Sequence, residues 1–158
     1  MTSIAATTQS EHAPGRRRPA GRLRALRGPA IAGAVTGILQ AASPLAFWWL
    51  EPKTVYALGI AVIAAIYIGF SVADGRGHVI AIETIVAALF VVVAAAGVTG
   101  SAWLLVLGLA GHGLKDLWQH RTHFVRNTRW WPPFCATVDF VAAGILAGAV
   151  LTGVSFHG

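Results

Sequence analysis

The sequence predicts an all-α, polytopic membrane protein: a bundle of about five transmembrane helices, with the N-terminus in and the C-terminus out. Three observations predict it. The 158 residues are 56% apolar and only 11% charged, where a soluble domain carries about 25% charge. The apolar residues fall in long runs rather than in amphipathic stripes, and so much apolar surface exceeds what one small core can hide. The cations are also concentrated in one set of alternate connections, the pattern by which membrane proteins set their orientation.

Residues 1–28 read as a disordered basic cytoplasmic tail, rich in Ala, Gly, Pro and Arg, and residues 29–158 as the helix bundle. A bilayer core of about 30 Å takes roughly 20 helical residues to cross. The first such run is Pro29 to Leu50, longer than the roughly 7–15-residue apolar core of a cleaved signal, so it reads as a retained anchor. Pro44 should kink or end it, and Phe47, Trp48 and Trp49 after it resemble an interfacial aromatic belt. The second run spans Thr54 to Ala73 and the third Val79 to Gly97. The fourth begins near Ser101 and is apolar to Leu114, with a helical pattern that continues to Phe124 or beyond. The fifth follows Trp130-Trp131-Pro132-Pro133, a good helix start, and ends near Val154. The links between the first four runs are short, which favours antiparallel neighbours.

Charge fixes the expected orientation. Six arginines (Arg16, Arg17, Arg18, Arg22, Arg24 and Arg27) precede the first run, and Arg76, Arg121, Arg126 and Arg129 fall in the other segments placed inside. The outer segments carry only Lys53, and Lys115 lies near the inner end of the fourth helix. This places the chain in the cytoplasmic (inner) membrane of a bacterium, multi-pass, with the lipid bilayer as its partner. The net charge of +6 is explained by topology, so no nucleic acid is expected. The single Cys135 forms no intramolecular disulfide and reads as a small buried residue, with a thiol ligand the alternative.

The pattern His112-x3-Asp116-x3-His120-x2-His123 carries the most chemistry. At 100° per residue, and with His112 at zero, Asp116, His120 and His123 fall at about 40°, 80° and 20°, on one helix face. On the expected topology Asp74, His78, Glu83 and Asp139 stand at a similar depth on the inner side, so four of six carboxylates and four of six histidines gather there. Glu83 and Asp139 are each flanked by apolar residues. A carboxylate at the centre of a membrane helix costs about 2.5–3.5 kcal/mol, so such residues face the bundle interior and pair with something.

One reading is a divalent metal centre, zinc or iron, since imidazole and carboxylate ligands suit both. The candidate ligands are His112, Asp116, His120, His123, His78 and Asp74, with Glu83 and Asp139 as catalytic residues, a further ligand or a general base. His112 and His123 are about 16 Å apart along a straight helix, too far to share one ion. His120 and His123 with Asp74 or His78 form one grouping; His112 and Asp116 with Glu83 and Asp139 form a deeper one, favoured because burial demands compensation. An enzyme acting on an apolar or lipid-like substrate is the sharpest form of this reading. The alternatives are a small proton- or cation-coupled transporter component, and a structural or partner-binding subunit in which the carboxylates simply pair with Lys115, Arg76 and the other arginines.

Gly33-x3-Gly37 and Gly144-x3-Gly148 permit close helix approach, either inside the monomer or in a homo-oligomer. Gln40 is a lone polar residue in an apolar zone, read as an interhelical hydrogen-bonding group. The stretches Gly111-His112-Gly113-Leu114-Lys115-Asp116-Leu117-Trp118-Gln119-His120-Arg121 and Trp130-Trp131-Pro132-Pro133-Phe134 resemble a group of small bacterial integral membrane proteins of unknown function. The resemblance covers the last third of the chain and implies no activity. The pattern differs from that of the membrane fatty-acid hydroxylases, which need more histidine-rich boxes than six histidines supply.

Overall fold

Punctuation in the sequence sets the helix ends. A computed structural model describes residues 19–127 and 129–153, with side chains from residue 25 onward. The described residues form five helices: α1 (Pro19–Ala46), α2 (Pro52–Asp74), α3 (Gly77–Thr99), α4 (Ala102–Thr122) and α5 (Trp131–Leu151). Pro52 opens α2, where its missing N–H costs nothing. Gly75, at φ 79°, closes α2 in the left-handed conformation that glycine adopts without strain. Ser101 caps α4 by accepting from the Trp103 N–H at 3.3 Å. Pro132 and Pro133 sit in the first turn of α5.

Two boundaries differ from expectation. α1 begins ten residues before Pro29 and runs through it, because residues 19–28 include arginine, leucine and alanine, which are good helix formers even where they read as a solvated tail. Residues 1–18 lie outside the described part of the chain. α4 stops at Thr122, and His123 turns out of the helix at φ 52°, an uncommon conformation for a residue with a side chain. Pro44 behaves as expected, since α1 ends two residues later.

Among the described residues four helices are long and apolar enough to cross a membrane: α1 from Ala25, α2, α3 and α5. α4 is as long as α5, and its polar residues are turned inward. His112, Asp116 and Gln119 are buried while Leu107, Leu114 and Trp118 are exposed. Exposed Leu58, Val62, Ile85, Leu89 and Val92 continue the same pattern on α2 and α3. Apolar side chains outside and carboxylates inside invert the order of a soluble protein and suit lipid as solvent.

α4 packs against α2, α3 and α5, and α1 lies mainly on α5. A Cβ on Gly33 would stand 2.5 Å from the Phe134 carbonyl oxygen, and one on Gly37 would stand 2.7 Å from that of Val138. α1 and α5 therefore run parallel at close range, and the Gly33-x3-Gly37 pair is used within the monomer. A Cβ on Gly144 or on Gly148 would have nothing within 4 Å among the described residues. Gly59 makes room for Gln40, whose Nε2 lies 2.9 Å from where its Cβ would be.

This arrangement gathers the start of α1, the end of α2, the start of α3, the end of α4 and the start of α5 at one end, here called the basic end. Arg76, Arg121, Arg126 and Arg129 are there, while Lys53 is at the opposite end, where its ammonium reaches the Gly100 carbonyl at 3.4 Å. Toward that opposite end the core is apolar, built on Tyr56, Ile60, Leu105, Leu109, Ala142 and Leu146. A smaller cluster of Tyr67, Val79 and Val125 lies toward the basic end. The polar groups occupy the space between them.

Candidate metal centre

α4 and α5 supply the centre. His112 and Asp116 are four residues apart and so project from one face of α4; Asp139 projects from α5. All three are buried, at 2%, 0% and 0% exposure. His112 Nδ1 lies 2.8 Å from Asp139 Oδ2 and 3.4 Å from Asp116 Oδ2. One ligand atom from each residue can be chosen so that all three lie within 4.8 Å of one another. Atoms that share a zinc ion at about 2.0–2.2 Å lie roughly 3–3.5 Å apart, close to the two separations from His112 Nδ1.

The surroundings hold these three side chains in place. Tyr67 donates its hydroxyl proton to Asp116 Oδ1. The Tyr67 and Phe90 rings stand 5.9 and 5.0 Å from the imidazole. A Cβ on Gly113 would meet the Phe140 ring at 3.1 Å, so this glycine lets α5 approach beside His112. Asp116 Oδ2, Asp139 Oδ1 and His112 Nε2 are buried with no hydrogen-bond partner among the described residues. Buried polar atoms are seldom left so.

A second polar group lies next to the first. Lys115 Nζ is 2.7 Å from Glu83 Oε2 and 3.5 Å from the centroid of the Tyr67 ring, a cation–π contact. Gln119 donates to Glu83 Oε1 at 2.7 Å and accepts from the Val125 N–H at 3.1 Å. Glu83 is thus inward and paired, through Lys115 and Gln119 rather than through His112.

The remaining candidates stand apart from this centre. Asp74 takes two hydrogen bonds from Arg76, at 2.6 and 2.7 Å, and one from the Arg126 N–H at 2.9 Å. Arg76 also donates to the Phe124 carbonyl at 2.6 Å, so the pair ties the α2–α3 turn to the α4–α5 connection. The same carboxylate raises the Arg76 guanidinium further above its ordinary range, chiefly through that hydrogen bonding. His78 is exposed. His123 is exposed because the helix has already ended. His120 is partly buried, its ring 6.3 Å from that of His123.

Depth also differs from the expectation of a centre near one surface. His112 is the middle residue of the 21-residue α4, about 15 Å from the basic end at 1.5 Å per residue. Tyr67 and Gln119 were not singled out by the sequence. Tyr67 lies in the apolar run Ile66-Tyr67-Ile68 and reads there as core. The useful signal for Gln119 is its position four residues after Lys115, on the face that meets α3.

Comparison of the chain with protein families, with curated proteins and with solved structures finds no match.

Proposed function

We propose that this protein is a multi-pass protein of the bacterial inner membrane that binds one divalent cation, zinc or iron, at His112, Asp116 and Asp139. The observation that carries this reading is two fully buried carboxylates converging on one imidazole. Charge counting supports it. Glu83 is balanced by Lys115, whereas Asp116 and Asp139 together face a single histidine. A divalent ion with a neutral imidazole balances both carboxylates, and desolvated charge must be balanced. The donor set of one nitrogen and several oxygens suits zinc or ferrous iron better than a soft ion.

In this reading Tyr67 orients Asp116 as an outer-shell hydrogen-bond donor. Lys115 and Glu83 form a neutral support beside the ion. In this reading the basic end faces the cytoplasm, with the N-terminus in and the C-terminus out, an orientation that the charge asymmetry between the two ends supports. A membrane-embedded ion held by these three residues would suit chemistry on an apolar or lipid-like substrate, where it would supply polarisation of a carbonyl or activation of water.

The contiguous run Asp139, His112, Asp116, Tyr67, Lys115, Glu83 and Gln119 favours a second reading, a relay for protons or cations. The apolar core beyond it, from Ile60 to Leu146, argues against passage through one chain alone.

Metal content separates these readings. Full-length protein purified in neutral detergent is expected to carry one equivalent of zinc or iron, lost in His112→Ala and Asp116→Ala and retained in Glu83→Gln. Native protein that neither retains nor takes up metal overturns the metal-centre reading.

A further inference from the structure

The α4–α5 connection has features that the metal centre does not use. Every free charge there is positive. Arg121 and Arg129 lie within electrostatic reach of the His120 ring, and the His123 ring stands 6.3 Å from it. Among the described residues no carboxylate answers them. Asp74 is taken by Arg76 and the Arg126 N–H. Glu83 is taken by Lys115 and Gln119, and Asp116 and Asp139 are enclosed with His112. Glu51 is at the other end of the bundle.

The unsatisfied side-chain atoms of this segment have the same sense. His120 Nδ1, Asn127 Nδ2 and Trp131 Nε1 are buried without a hydrogen-bond partner among the described residues. The asparagine and tryptophan nitrogens are donors only, and an imidazole nitrogen donates when it carries a proton. What the segment lacks is an acceptor, and a negatively charged one.

Its position says which kind of anion. Trp118 and Trp130, 47% and 43% exposed, flank the connection, and Trp130 is stacked on Phe134 with centroids 4.7 Å apart. Exposed tryptophans at helix ends mark headgroup depth. Leu114 and Leu117 continue the exposed α4 surface from there toward mid-span, where an acyl chain would lie.

We infer that His120, Arg121, His123 and Arg129 form a cradle for the phosphate of an anionic phospholipid, at the junction of α4 and α5. The ligand is a diacyl phosphodiester whose headgroup carries net negative charge. Zwitterionic lipid brings its own ammonium into the cationic cradle and binds less well. Inorganic phosphate lacks the acyl chains that lie along Leu114 and Leu117. Basic side chains at an anionic membrane surface each contribute roughly a fivefold gain in affinity.

The test is a lipid titration of the full chain in neutral detergent, read by native mass spectrometry as lipids bound per chain. Phosphatidylglycerol, phosphatidylcholine and inorganic phosphate are the three probes. The expected result is saturable binding of phosphatidylglycerol, weaker phosphatidylcholine binding and no phosphate binding. Two basic groups being removed, Arg121→Gln with Arg129→Gln should weaken phosphatidylglycerol by about thirtyfold, and each single variant by about fivefold. Arg126→Gln, at a guanidinium within electrostatic reach of Asp74 and with its backbone N–H on that carboxylate, should leave binding unchanged. Equal binding of the two lipids, full retention in the double variant or a phosphate-only site would each overturn the inference.

Discussion

His112 and Asp139, 27 residues apart and on different helices, meet with Nδ1 and Oδ2 at 2.8 Å near mid-span. A polar contact at that depth requires that both helices turn their polar groups inward at the same level. Gly113 makes this possible, because its missing side chain is where the Phe140 ring of α5 rests. The consequence is a compact polar group walled by Tyr67 and Phe90.

The Glu83–Lys115 ion pair is buried, with side-chain exposures of 2% and 12%. Removing one partner of such a pair leaves an uncompensated charge and costs about 3–5 kcal/mol. Glu83→Gln is expected to lower thermal stability in detergent by that order. Lys115→Met alone should do the same, while the double variant should recover most of the loss. A double-mutant cycle with no coupling contradicts the pairing.

Tyr67→Phe keeps the ring over which Lys115 sits and deletes only the hydroxyl that serves Asp116. Loss of an outer-shell hydrogen bond typically costs 10–100-fold in metal affinity. We expect cation affinity to fall by about that factor with the helical circular-dichroism signal unchanged. An unchanged affinity means that Tyr67 does not position Asp116.

The α1–α5 contact depends on the absence of side chains at Gly33 and Gly37. Gly33→Ala places a Cβ 2.5 Å from backbone oxygen, an overlap that only helix displacement relieves, at a cost of about 1–3 kcal/mol. Gly144→Ala meets open space and should stay within about 0.5 kcal/mol of the native stability. Thermal unfolding of both variants in one detergent makes the comparison, and equal effects would contradict the packing.

Reporter fusions test the orientation. A periplasm-active enzyme should be active at the C-terminus and inactive at the N-terminus. The converse pattern reverses the assignment of the basic end to the cytoplasm.

Much of this fold is legible without coordinates, because lipid imposes long apolar runs and proline and glycine mark where they stop. The start of α1 is not, since arginines favour both solvent and helix. The His112–Asp116 pair is legible from its four-residue spacing, and the inward direction of Asp139 and Glu83 from the cost of exposing them to lipid. His120 and His123 share the predicted wheel face with His112 but not its surroundings. The wheel assumes a helix that continues, whereas α4 ends at Thr122 and His123 turns away. Which carboxylate meets which base is also beyond periodicity. Glu83 went to Lys115 and Gln119 and Asp139 to His112, a choice set by the relative depth and rotation of α3, α4 and α5.

The most direct test of the cation site is an equilibrium titration with Co²⁺, an optically visible substitute for zinc, on metal-stripped full-length protein in detergent. One saturable equivalent with visible d–d bands is expected, abolished in Asp116→Ala and in Asp139→Asn but present in Glu83→Gln. Absence of saturable binding in the native protein, or binding that is equal in native protein, Asp116→Ala and Asp139→Asn, would contradict the site.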